Sequence, residues 1–217
     1  MCAAVTPPNA ASWTYAEQWL GEEEHLTEAR AKADELGCTP IGRGGASALT
    51  VIAALLDARA VVEVGTGVGL SGLALLRGMR EDGVLTSVDV EAEHQRVARA
   101  TFAAAGISPA RTRLITGRAL EVLPRLTDAH YDIVFVDGDK AEYGAYLDQA
   151  VRLLRPGGAV VFDNALWHDK VADPAQRDPQ TIGLRELVTA LRDDERFTPA
   201  LLPVGDGLLV AVLRERR

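Results

Sequence analysis

From Val61 onward, short apolar runs rich in β-branched residues alternate with amphipathic stretches of helical length, and this alternation leaves few folds open. VVEV, LTSVDV, RLIT, DIVFVD and AVVFD read as five parallel strands, because a strand covered on both faces is apolar throughout. The segments around 70–80, 91–105, 118–126 and 142–154 read as the crossover helices between them. RPGG at 155–158 reads as the stop between the last helix and its strand, since proline and glycine end helices for steric reasons. After a polar stretch from His168 to Gln180, a helix is expected near 182–193. FTPALLPV and GLLVAVL, joined by the turn GDG, then read as an antiparallel hairpin. The expected architecture is α/β: a Rossmann-like, doubly wound, seven-stranded sheet closed by that hairpin, with binding sites beyond the carboxyl ends of the parallel strands.

Residues 13–57 add two or three helices, including GEEEHLTEARAKADEL and the apolar SALTVIAALLDA, which suit a cover over the site or a contact with a second copy. A length of 217 residues fits one domain, with residues 1–57 as the helical cover and 58–217 as the core.

The segment Glu63-Val-Gly-Thr-Gly-Val-Gly-Leu-Ser-Gly72 follows a strand and opens a helix, so its backbone can approach a nucleotide or nucleoside closely. Residues Gly67 to Gly72 satisfy GxGxxG literally, which keeps a nicotinamide oxidoreductase in view. Asp89, at the end of the next strand, suits both hydroxyls of an adenosine ribose and does not separate the two cofactors. Glu63 does: a carboxylate there would repel a pyrophosphate but suits the ammonium group of S-adenosylmethionine, with Ser71 placed for the cofactor carboxylate.

Val136-Asp-Gly-Asp-Lys140 and Phe162-Asp-Asn164 end neighbouring strands and aim three carboxylates and an amide at one crevice. Hard oxygen donors at this density suit a hard cation. Asp137, Asp163 and Asn164 would leave about three of six positions open on Mg²⁺, with Mn²⁺ or Ca²⁺ as other candidates. The histidines, His25, His94, His130 and His168, are scattered, and Cys2 and Cys38 have no metal-binding spacing, so zinc is not indicated.

With 23 basic against 31 acidic residues the net charge is -8, which argues against a chain that lives by gripping phosphate backbones. Arg111, Arg113, Arg118 and Arg125 read as solvated residues rather than a basic face. The start MCAAVTPPNAAS lacks the pattern of a secretory signal, no segment reaches membrane-spanning length, and a cytoplasmic location is expected.

Together, EVGTGVGLS and VDGDKAEYGAYLDQAVRLLRPGGAVVFDNALW resemble the cation-dependent O-methyltransferases of the catechol and caffeoyl-CoA type, over most of the chain from about Pro40. The resemblance implies a class I methyltransferase domain using S-adenosylmethionine and a divalent cation on a small hydroxylated, catechol-like or phenolic acceptor. It implies metal ligation by Asp137, Asp163 and Asn164 and a general base at Lys140. It places cofactor contacts at Ile41, Glu63, Gly65, Thr66, Ser71, Asp89, Ala119 and Asp139. It also implies a homodimer, while the net charge and the lack of a membrane-spanning segment argue against nucleic-acid and membrane partners. Val68, Leu70 and Gly138 depart from the residues common in relatives, which affects packing around substrate and cofactor rather than the chemistry. A tRNA hydroxyuridine O-methyltransferase, a nicotinamide oxidoreductase and a noncatalytic cofactor binder remain as alternatives.

Overall fold

The computed structural model describes residues 9–215, so Cys2 lies outside the described residues. Seven strands form one sheet: β1 (Ala60–Val64), β2 (Val84–Asp89), β3 (Thr112–Thr116), β4 (Tyr131–Val136), β5 (Leu154–Phe162), β6 (Phe197–Leu202) and β7 (Leu208–Leu213). Their order is β3-β2-β1-β4-β5-β7-β6, with β7 antiparallel to both neighbours. The strand order, not the strand direction, reverses between the parallel neighbours β1 and β4, and this switch point opens the crevice where such sheets bind ligands.

Eight α-helices flank the sheet: α1 (Ala10–Gln18), α2 (Glu24–Leu36), α3 (Arg43–Leu55), α4 (Leu70–Gly78), α5 (Ala92–Ala104), α6 (Ala119–Val122), α7 (Tyr143–Leu153) and α8 (Pro179–Asp193). Alternation along each strand splits the core in two. Val61, Ile133, Phe135 and Val161 pack on the side of α3, α4 and α5, while Val62, Val134, Val136 and Phe162 pack on the side of α7 and α8. All six residues of β4 are buried, which is why its sequence is apolar apart from Asp132. Among the described residues no helix is long and apolar enough to cross a membrane.

The expected helices are present with shifted ends. α8 starts at Pro179 because Asp178 accepts from the Thr181 N–H, 3.0 Å, and proline suits the first helical position. RPGG is corrected: it lies inside β5, where the pairing with β4 shifts register between Tyr131 and Ile133. Asp132 explains this irregularity. Its Oδ1 accepts from Arg155 Nε, 2.6 Å, and its Oδ2 from the N–H groups of Arg59, 2.7 Å, and Ala60, 2.8 Å. A buried carboxylate needs such partners, and meeting them ties the amino ends of β1, β4 and β5 together. The carboxyl ends remain for the site.

Candidate active site

Backbone hydrogen bonds continue past the strand ends and fix the functional residues side by side. The Asp137 N–H donates to Val64 O, 2.8 Å, the Asp163 N–H to Val136 O, 3.0 Å, and the Gly65 N–H to Val88 O, 2.9 Å. The loop after β1 needs three left-handed glycines, Gly65, Gly67 and Gly69, at φ of 91°, 49° and 89°. Asp89 anchors it: Oδ2 accepts from the N–H groups of Thr66, 2.9 Å, and Gly67, 3.0 Å.

A cavity of about 440 Å³ opens above these ends, a volume in the ordinary range for a small-ligand site. Of the sequence-predicted cofactor residues, Ile41, Gly65, Thr66, Ser71, Asp89, Ala119 and Asp139 all line it, and so does Asp137. Glu63, read as holding the cofactor's ammonium group or ordering water beside it, is not among the lining residues. Its side chain is fully buried beneath the loop, where Oε1 accepts from Ser71 Oγ, 2.6 Å, and Oε2 from Ser87 Oγ, 2.5 Å. With Ser87 Oγ donating to Glu63, Thr66 Oγ1 donates to Ser87 Oγ at 2.7 Å. While Glu63 is ionised, the Ser71 hydroxyl donates its proton inward to it. Glu63 shapes the loop from below.

Burial pushes the Glu63 carboxyl up from its ordinary 4.5 to about 7, partly offset by the two serine hydrogen bonds. The folded protein thus holds this proton more tightly than the unfolded chain. The stability this gives is full below about 4.5 and lost as pH rises through 7. Thermal melting of the ligand-free protein should fall by several degrees over that interval, and more steeply than in Glu63→Gln. Parallel curves for the two proteins would show that Glu63 does not carry the effect.

Beside the cavity, Lys140 Nζ donates to Asp137 Oδ1, 2.9 Å, and to Tyr143 Oη, 2.7 Å, with a side chain only 9% exposed. Tyr143 Oη in turn donates to Asp163 O, 3.1 Å. The buried Asp163 accepts from the Asn164 N–H at Oδ1, 2.8 Å, and its carboxyl is pushed up to about 7, first by desolvation and then by the negative charge of Asp137. Asn164 takes φ of 57°, the first of four non-glycine residues with positive φ up to Asp169.

Sequence reasoning missed His94, whose Nδ1 lies 3.4 Å from Asp89 Oδ2, and Arg118, Glu142 and Tyr146, which line the same cavity. His94 stands five residues after Asp89, on the helix that follows β2, and that spacing was the available signal. Trp167, read only as part of an unassigned stretch, lies with its ring centre 5.9 Å from Lys140 Nζ. His168, with 70% of its side chain exposed, is the solvated loop residue expected.

Against known proteins, residues 15–214 match the O-methyltransferase family. The chain belongs to that family. Membership makes it an S-adenosylmethionine-dependent O-methyltransferase and removes the nicotinamide reading. A protein of Mycobacterium sp. (strain JLS), provisionally named an O-methyltransferase, is 51% identical over 197 residues, covering 91% of this chain and 90% of the relative. Among solved structures, a Corynebacterium glutamicum protein is 33% identical with a TM-score of 0.88, covering 96% of this O-methyltransferase and 99% of that chain. TomG of Streptomyces achromogenes, an O-methyltransferase involved in tomaymycin synthesis and solved in complex with S-adenosylmethionine, is 29% identical with a TM-score of 0.83, covering 94% and 96% respectively.

Proposed function

We propose that this O-methyltransferase uses a divalent cation, Mg²⁺ foremost, to methylate a hydroxyl of a small catechol-like or phenolic acceptor. The supporting observation is the juxtaposition of Asp137 and Asp163 at adjacent strand ends, with the Asp163 N–H bonded to Val136 O at 3.0 Å and Lys140 bonded to Asp137. Among the described residues no three His, Cys, Asp or Glu side chains gather as a metal cage. The proposed set instead joins two carboxylates to the Asn164 amide, and this donor chemistry suits a hard cation. A bound cation would supply positive charge that favours the ionised form of a phenolic hydroxyl.

The protein's own groups do the rest. Asp89 offers carboxylate oxygen to ribose hydroxyls, the residue 65–69 loop brings backbone close to the cofactor's amino-acid end, and Ile41, Ala119 and Asp139 complete the walls. Beside a bound dication the ammonium form of Lys140 would be disfavoured by like charge, so that its neutral Nζ, held in place by Tyr143, would receive the acceptor's proton. Because methyl transfer to oxygen needs an aligned approach, most of the acceleration comes from positioning.

A tRNA acceptor is not favoured. Arg111 spends its guanidinium on the carbonyls of Leu76, Arg80 and Gly83, and Arg118 pairs with Glu142. A homodimer accompanies the proposal, supported by exposed Trp19, Val51 and Leu55 at 68%, 56% and 81% of full exposure. The test is methyl transfer to catechol by chelator-treated protein with and without added Mg²⁺. Restoration by Mg²⁺ is expected, and full turnover without any divalent ion would overturn the metal assignment.

A further inference from the structure

The cavity wall formed by the turn after β3 and the start of α7 carries an arrangement that neither loop nor metal chemistry requires. Arg118, in the turn after β3, donates from Nη2 to Glu142 Oε1 at 2.8 Å. Tyr146, one turn into α7, donates to Glu142 Oε2 at 2.5 Å. All three side chains line the cavity. Arg118 is 64% exposed, so as a stability device this ion pair is worth little. Its position gives it another use.

Asp89 fixes where a ribose sits, and the base attached to that ribose must lie further out. The cavity there is walled by Val90, an exposed apolar side chain at 58%, and by the buried Ala119. A flat base fits between two such apolar groups. On the α7 side two carboxylates line the cavity: Asp139, whose Oδ1 is turned to the Ala141 N–H at 3.0 Å, and Glu142, at the amino end of that helix, where a negative charge is favoured. Arg118 and Tyr146 each occupy one of its oxygens and fix its direction. Each oxygen keeps a lone pair for a further donor. Burial, and then the bond to Glu142, push the Tyr146 phenol up, so it stays a donor to the carboxylate.

We infer that Glu142 reads the base of the cofactor, accepting a hydrogen bond from the exocyclic amine of adenine while Arg118 and Tyr146 hold its carboxylate in place. The inference rests on the cofactor placement proposed above. A 6-oxo base would put a carbonyl oxygen against this carboxylate, so the site rejects hypoxanthine by repulsion as well as by loss of a bond.

The test is calorimetric titration of S-adenosylhomocysteine and S-inosylhomocysteine into the purified full chain. The wild-type protein should prefer the adenosine compound by about tenfold or more. Glu142→Gln, which can present an amide N–H to a 6-carbonyl, should bring the ratio toward one. Glu142→Asp, which keeps the charge but withdraws it by one methylene, should reduce the preference and provides a second readout if the glutamine variant folds poorly. A merely structural glutamate would weaken both ligands alike. A base preference unmoved in both variants would overturn this assignment alone, whereas no binding of S-adenosylhomocysteine by the wild-type protein would overturn the cofactor placement with it.

Discussion

Asp137→Ala should lower catechol methylation by about 10³-fold or more while leaving S-adenosylmethionine affinity nearly unchanged. The side chain has two tasks in the proposed site, as a metal ligand and as the partner that orients Lys140 at 2.9 Å. Alanine removes both. It retains the Asp137 N–H bond to Val64 O, so the strand end and the adjoining loop keep their places. Cofactor contacts from Asp89 and the loop backbone do not pass through the carboxylate. The diagnostic result is the split, a collapse in turnover with cofactor binding measured separately by calorimetry. Turnover within a few-fold of wild type would remove Asp137 from the chemistry.

Gly65→Ala should disable the protein by another route. At φ of 91° an L-residue is strained by roughly 1–2 kcal/mol before any contact is considered. A Cβ there would also stand 2.1 Å from the carbonyl oxygen of Asp137, which is backbone and cannot swing aside. Either β1 or β4 must give way at its carboxyl end, at a further cost of about 1–3 kcal/mol. The same movement displaces Asp137. A drop in melting temperature together with loss of cofactor binding is expected. Gly67→Ala is the control: its φ is also positive, at 49°, but nothing lies within 4 Å of the added carbon. It should cost about 1 kcal/mol. Equal effects at the two positions would show that the approach of Gly65 to Asp137 is not what constrains the loop.

These two positions also show why much of this molecule can be read from its sequence. Buried parallel strands are apolar along most of their length, so β1, β4 and β5 stand out as apolar runs, and the site residues lie where those runs stop. Gly65, Asp89, Asp137 and Asp163 are legible because each is the first unusual residue after a strand or its last. What could not be read depends on partners distant in sequence. Glu63 was expected to face the ligand, yet Ser87, 24 residues away on β2, draws it inward. RPGG was expected to separate helix from strand, but Asp132 and its bonds to Arg59, Ala60 and Arg155 absorb it into β5 as an irregularity. Glu142 carries no signal of its own in the sequence, and its place at the cavity comes with its pairing to Arg118, also 24 residues away. Local spacing carries the strands and their ends, while side-chain pairing across the crevice belongs to the folded chain.

The acidic cluster is the centre of the functional proposal, and its cation affinity can be measured without any acceptor. Chelator-treated protein titrated with Mn²⁺, with the free ion followed by electron paramagnetic resonance, should show one saturable site per chain in the wild type and none in Asp163→Asn. The absence of a saturable site in the wild type, or an identical site in the variant, would contradict the assignment of Asp137, Asp163 and Asn164 as cation ligands.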